Sequence, residues 1–243
     1  CRFEGKYPFW HNDGFVIRKC LFTEGARAAL WYSRDLRMSD TRVEAPKMFR
    51  EMDGVRLENV QIPNAQETLW HCRNVDLKNV RADRADYLFL HGENIRIEDY
   101  VQNGNYSFQY CRNVTIRDAE IHSKDAFWNS EDVTVYDSVL DGEYLGWHSK
   151  RLKLVNCRIS GTQPLCYAQD LVMENCTMDD DCDLAFEYST LRADIKGCVR
   201  SVKNPRSGSI TAGGYGEIIL DAHVKAPADC EIRVGGERNC FSA

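Results

Sequence analysis

Three things are missing from this chain of 243 residues, and each absence removes a class of function. There is no basic stripe: 31 Lys and Arg stand against 37 Asp and Glu, a net charge of -6, so the electrostatic footprint of a nucleic-acid binder is lacking. No run approaches the roughly 20 apolar residues that span a bilayer, and no charged-then-apolar leader occurs, so no membrane contact is expected. The 11 cysteines contain no Cys-x-x-Cys pair and no zinc-type cluster, which argues against redox and structural-zinc roles; no cofactor or metal is expected. Their number is odd and their placement follows the repeat described next more than a disulfide framework, so the expected location is a reducing cytoplasm. The chain opens CRFEGKYPFW, without a methionine and with the look of the end of a repeat, as in NCRISG at 156 to 161; an upstream segment is expected.

What the sequence has is a period. NVDLKNVRA, NIRIEDYV, NVTIRDAEI, DVTVYDSVL, RLKLVNCRI and DLVMENCTM share one pattern of aliphatic, polar, aliphatic, any residue, then Asn or Asp. Its first aliphatic residue recurs at Phe15, Leu36, Val55, Val75, Ile95, Val114, Val133, Leu152, Leu171 and Leu191, at spacings of 19 to 21. Two residues on comes a second apolar column, from Ile17 and Met38 to Met173 and Ala193, with mostly polar residues between the two. Alternation of period two means strands with one buried face. Four residues past the anchor stand Asp40, Asn59, Asn79, Asp99, Asp118, Asp137, Asn156 and Asn175, residue types that accept left-handed backbone, so this column marks a corner.

A strand returning every 19 to 20 residues, with no helical heptad between, predicts an all-β solenoid: a parallel β-helix of ten or more turns at about 4.8 Å per turn. A leucine-rich repeat overlaps this period, but its Asn falls one position later and its other half is usually helical. Residues 1–195 are assigned to the repeats, the first turn being truncated, and 196–243 to the last irregular turns and a C-terminal cap. The pattern, together with ARAALWYS, KDAFWNSEDVTVYDSVLDGEYLGW and GTQPLCY, resembles a bacterial family of right-handed parallel β-helix proteins known only as a domain of unknown function, within the pectin-lyase-like superfamily. The resemblance covers nearly the whole chain and implies right-handedness. It brings no catalytic residues with it.

Counting back from the anchors locates the aromatic residues. The sixth residue before each anchor is almost always apolar and is expected inside. The fifth includes Trp10, Trp31, Trp70, Trp128 and Trp147, but also Arg50 and Gln109, so this column is expected outside. The fourth holds His11, Tyr32, Glu51, His71, His91, Tyr110, Asn129, His148 and Tyr167. Simple parity turns it inward; a bend at the small residues that follow exposes it instead, and the bend is preferred because nine stacked polar tips would otherwise need partners inside.

An outer ladder of Trp, Tyr and His suits a carbohydrate, rings stacking on sugar faces while polar tips bond hydroxyls, although such ladders also stabilise parallel stacks. Trp31, Tyr32, Trp70, Tyr110, Trp128, Trp147 and His148 are the candidate ligand-binding residues. Glu51, His71 and His91, in one column on successive turns, are weak catalytic candidates, and their spacing is long for a shared metal. The Asp179 to Asp181 run reads as a charged corner, and the carboxylate signatures associated with polygalacturonase-like members of the superfamily are absent. The sequence therefore favours a non-catalytic binding or scaffold module contacting carbohydrate or a protein partner over a polysaccharide lyase or glycoside hydrolase.

Overall fold

A computed structural model describes residues 1–222, 229–235 and 240, so 223–228, 236–239 and 241–243 of the expected cap lie outside the described residues. Among the described residues there are sixteen strands and no helix, and every strand pairing is parallel within one continuous sheet. β1 (Arg2–Phe3) pairs beneath the first full turn, which carries β2 (Asp13–Arg18) and β3 (Leu21–Phe22), and β4 (Arg34–Val43), β5 (Asp53–Ile62), β6 (Arg73–Ala82), β7 (Glu93–Asn103) and β8 (Arg112–His122) stack on it in order. Two turns are split at the corner into β9 (Glu131–Tyr136) with β10 (Val139–Asp141), and β11 (Lys153–Val155) with β12 (Arg158–Ser160). Then come β13 (Leu171–Met178), β14 (Thr190–Lys203), β15 (Ser207–Ile219) and β16 (Asp229–Val234). The result is a β-solenoid of about 12 turns.

The repeat columns become physical columns because each turn sits in register on the last. Leu36 lies on Val55, Val55 on Val75, Val75 on Ile95 and Ile95 on Val114. From Leu36 to Leu191 every anchor is buried, and Phe15 on the first turn is half-buried. Each such side chain contributes about 1.5–3 kcal/mol when fully buried. A second core column, six residues before the anchor, stacks Phe89, Phe108 and Phe127 at 4.8 and 5.1 Å. The Asn/Asp column does turn a corner: all eight residues from Asp40 to Asn175 have φ between 49 and 58°. Four of its contacts are side-chain amide bonds along the rod, among them Asn79 Nδ2 to Asn59 Oδ1 at 2.8 Å and Asn175 Nδ2 to Asn156 Oδ1 at 2.6 Å.

Two further columns stabilise the coil. One residue before the anchor, Asn74, Asn94 and Asn113 also adopt left-handed backbone and pass amide hydrogen bonds up the stack, starting from Asp53. Two before it the charge alternates turn by turn through Asp13, Arg34, Asp53, Arg73, Glu93, Arg112, Glu131 and Lys150. Arg34 meets Asp13 at 2.9 Å, Arg73 meets Asp53 at 3.1 Å and Arg112 meets Glu131 at 3.6 Å. Opposite charges on neighbouring strands favour this register, by about 0.2–1 kcal/mol per pair.

The buried cysteines behave as hydroxyl substitutes. Cys72 and Cys111 direct Sγ to the carbonyls of Phe49 and Phe89 at 3.0 and 2.8 Å, as Ser33 and Ser189 direct Oγ to those of Phe9 and Leu165. Burial pushes both thiols up to about 12, which keeps them protonated and inert. The expectation that cysteine placement follows the repeat needs one correction: Cys198 and Cys240 form a disulfide across 42 residues. They lie past the regular turns, where the period no longer dictates a partner.

Near the C-terminal end the corner itself disappears. Met173 pairs with Ala193 but Cys176 pairs with Ile195, so two residues of β13, Glu174 and Asn175, face one residue of β14. With no counterpart for Asn175, β14 and β15 run on for 14 and 13 residues, and residues 196–219 continue the parallel ladder.

Two stability predictions follow from these contacts. Tyr100 and Gln102 are buried; the Tyr100 hydroxyl donates to Gln102 Oε1 at 3.0 Å, and Gln102 Nε2 has no partner. Gln102→Leu alone orphans the hydroxyl and should destabilise by about 1–3 kcal/mol, whereas Tyr100→Phe with Gln102→Leu removes both polar groups and should be neutral or stabilising in denaturant unfolding. Closing a loop of this size is worth about 4 kcal/mol by chain entropy, so Cys198→Ser should lower the thermal midpoint, and hydrogen exchange should speed most in β15 and β16.

Candidate functional site

The expected bend is present, and it is built from backbone alternation. At the eighth, sixth and fourth residues before the anchor the chain is left-handed, as at Tyr87, Phe89 and His91 with φ of 58, 58 and 53°. Bulky L-residues adopt this conformation at a cost of about 1–2 kcal/mol each. Hydrogen bonding to both neighbouring turns offsets it. Phe89 N donates to Thr68 O of the turn below at 3.1 Å, and His91 N to Gln109 O of the turn above at 3.0 Å. One result is that the column at minus six points in while those at minus five and minus four point out, Cys166 at minus five being a buried exception.

The column at minus four is exposed from His11 to His148. Its rings stack on one another: His11 on Tyr32 at 5.2 Å, His71 on His91 at 5.0 Å, His91 on Tyr110 at 4.8 Å and His148 on Tyr167 at 4.9 Å, all within 17° of parallel. Tyr87 stacks on Tyr106 at 4.8 Å beside them. The ring faces are therefore turned along the rod and largely covered by neighbours. The edges face solvent.

The tryptophans are half-buried or exposed and lie against this column. Trp10 and Trp31 stack at 5.7 Å, and Trp128 and Trp147 tilt across 5.6 Å. Four of the five indole N–H groups are not free to meet a ligand. Trp31 donates to Lys47 O at 2.7 Å, Trp70 to Tyr87 O at 2.5 Å, Trp147 to Gln163 O at 2.7 Å, and Trp10 to Ala28 O. Each of these four indoles is thus fastened to the next turn.

Where the tryptophan ladder is interrupted, Arg50 fills the gap. Its guanidinium lies 4.9 Å from the Trp31 ring and 4.2 Å from the Trp70 ring, a double cation–π contact, and Nη2 donates to Glu67 Oε2 at 2.7 Å. Lys47 reaches the same carboxylate at 3.0 Å. Burial raises the Glu67 pKa, but hydrogen bonds and charge from Lys47 and Arg50 outweigh it and leave the carboxyl below its ordinary value. The sandwich places Arg50 within the ladder, so Trp10, Trp31, Arg50 and Trp70 form one continuous stack.

Glu51, His71 and His91 do fall on successive turns, but their geometry suits neither a metal nor a dyad. The imidazoles are parallel to within 10°, so their in-plane lone pairs run side by side and do not converge, and no described group of three such residues can hold a metal ion. Glu51 makes no side-chain hydrogen bond in the described residues. A hydrogen-bonded imidazole and carboxylate occur elsewhere: His122 Nδ1 lies 2.8 Å from Asp141 Oδ2, and Ser160 donates to Asp141 Oδ1 at 2.7 Å. Those two bonds hold the Asp141 carboxyl below its ordinary value. All three sit one above another on a corner column, and the serine bonds the carboxylate where a nucleophile would bond the imidazole.

On the strand wall a groove of about 890 Å³ is lined by Arg37, Arg56 and Arg96 with Asp35, Asp53 and Asp76, and by the asparagine ladder of 74, 94 and 113. Its charges balance, and Arg56 pairs with Asp76 at 3.4 Å.

The stacked imidazoles carry a pH signature. Burial first, and then the charge of His71, lower the His91 pKa from its ordinary 6.5. Between 6.5 and the lower folded value the unfolded chain binds the extra proton, so stability is complete above 6.5 and is lost as pH falls through that window. The melting temperature should drop on acidification from pH 8 to 5 and drop less in His91→Gln; equal slopes would remove His91 as the cause.

Residues 1–233 match the family described as "Protein of unknown function (DUF3737)". No curated protein matches. Among solved structures the chain is similar to HetL, a pentapeptide repeat protein involved in heterocyst differentiation regulation from the cyanobacterium Nostoc sp. strain PCC 7120, at 13% identity, covering 91% of this chain and 86% of that one with a TM-score of 0.24. It is also similar to PfbA, a surface adhesin of Streptococcus pneumoniae, at 7% identity, covering 93% of this chain and 71% of that one with a TM-score of 0.31. By the extent of the family match, a β-solenoid carrying this aromatic edge belongs to the DUF3737 family.

Proposed function

We propose that the protein is a non-catalytic binding module whose aromatic edge contacts carbohydrate or a protein partner. The observation that supports this reading is that the rings of the minus-four and minus-five columns stay at the surface along the rod, half-buried or exposed, with edges open to solvent. The contact residues are Trp31, Tyr32, Trp70, Tyr110, Trp128, Trp147 and His148. A right-handed coil and a place beside the bacterial pectin-lyase-like proteins belong to the same proposal and rest on the sequence resemblance. A cytoplasmic location is supported by the nine free thiols, with the Cys198–Cys240 disulfide weighing against it.

The second reading is a carbohydrate-active enzyme, a lyase or hydrolase working from Glu51, His71 or His91. It has the exposure of those side chains in its favour and their lack of convergence against it. A screen of neutral and acidic polysaccharides by affinity gel, with partner pulldown in parallel, separates the readings. Trp70→Ala with Trp147→Ala should lose retention of a bound partner while keeping the solenoid's circular dichroism. Retention unchanged in the double variant would overturn the placement of the site, and turnover lost in Glu51→Ala would favour the enzyme.

A further inference from the structure

Resting on the reading of the aromatic edge as a binding surface, we infer that its ligand is a neutral, linear, β-1,4-linked glucan lying parallel to the rod axis and held by ring edges through hydrogen bonds. Charge is the first argument. Residues Asp, Glu, Lys and Arg make up 28% of the chain, yet the minus-four and minus-five columns contain none of them over six consecutive turns, from Trp70 and His71 to Cys166 and Tyr167. On a surface this rich in charge, a strip without any is matched to a partner without any.

Hydrogen-bonding capacity is the second. His71, His91, Tyr110, Asn129, His148 and Tyr167 each present a polar tip, and none of these tips has a hydrogen-bond partner among the described residues. They are donors and acceptors both, as a row of hydroxyls requires. The ring faces are already occupied by stacking at 4.8–5.0 Å, so the contact is made by the edges and not by the flat face-to-sugar stacking that isolated aromatics provide.

Spacing is the third. The tips repeat once per turn, at the separation of the stacked rings. An equatorially linked hexose chain advances by nearly the same length per sugar, so one sugar meets one turn, successive sugars presenting alternate hydroxyl-bearing edges to the strip. An extended peptide, at about 3.3 Å per residue, does not keep step with it. A rigid row also removes most of the ordering cost on the protein side, since the rings are already fixed by their neighbours.

The test is a length series of soluble β-1,4-linked gluco-oligosaccharides, from the dimer to the hexamer, titrated into the intact protein and followed by NMR. Each added sugar should tighten binding by about two- to fivefold, the worth of one exposed hydrogen bond. Tyr110→Phe with Tyr167→Phe keeps every ring stack and should weaken the hexamer by about four- to twenty-five-fold, two such bonds, with no change in melting temperature. An affinity that stops rising at the dimer, a hexamer unaffected by the two phenylalanines, or equally tight binding of a carboxylated hexamer would each overturn the inference. Absence of oligosaccharide binding with a protein partner still lost in the double tryptophan variant would overturn the inference and leave the binding-module reading standing. No partner of any kind lost in that variant would remove both.

Discussion

Every feature of this molecule depends on backbone hydrogen bonds that run from one turn to the next in strict register. They are the reason a pattern in one dimension becomes a pattern of columns in three. Once Val55 sits on Val75 and Val75 on Ile95, every other residue of the turn is also placed on its counterpart, and a residue type repeated along the sequence becomes a ladder. The interior is then a set of aliphatic and phenylalanine stacks, and the surface a set of amide, ionic and aromatic ones.

Inter-turn bonding also explains why local preference is overridden. Phenylalanine, leucine, histidine and tyrosine avoid left-handed backbone, yet on turn after turn they adopt it at alternating positions. Left-handed residues at every second position let the N–H groups of Tyr87, Phe89 and His91 point in turn to the turn above, the turn below and the turn above, where each finds a carbonyl. The same alternation sends two adjacent columns outward and so widens the aromatic strip. The surface that carries the proposed function is thus a by-product of satisfying the main chain.

Much of this was legible in the sequence because the period is short and regular. The anchors, the second apolar column and the Asn/Asp corner could be read from spacing alone, and the exposure of His71, His91 and Tyr110 followed from asking where so many polar tips would find partners. The indole bonds could not be read, since they join a side chain to a carbonyl 16 to 18 residues away whose direction depends on the bend. The Arg50 sandwich had a visible signal, an arginine alone in a tryptophan column, and so did the asparagines at 74, 94 and 113. The Cys198–Cys240 link had none, because it lies past the point where Asn175 loses its counterpart and the period stops predicting neighbours.

The alternating charges at Asp13, Arg34, Asp53, Arg73, Glu93, Arg112, Glu131 and Lys150 carry a consequence for how such a coil assembles. A repeat protein is exposed to a particular error: a strand can dock on a turn that looks like its own but is the next one along, with the apolar columns satisfied equally well. A column of constant polarity would accept that mistake. A column that changes sign at each step behaves like a parity bit, since skipping one turn sets like charge on like. Only an error of two whole turns would pass undetected, and that leaves a far longer loop of chain unaccommodated.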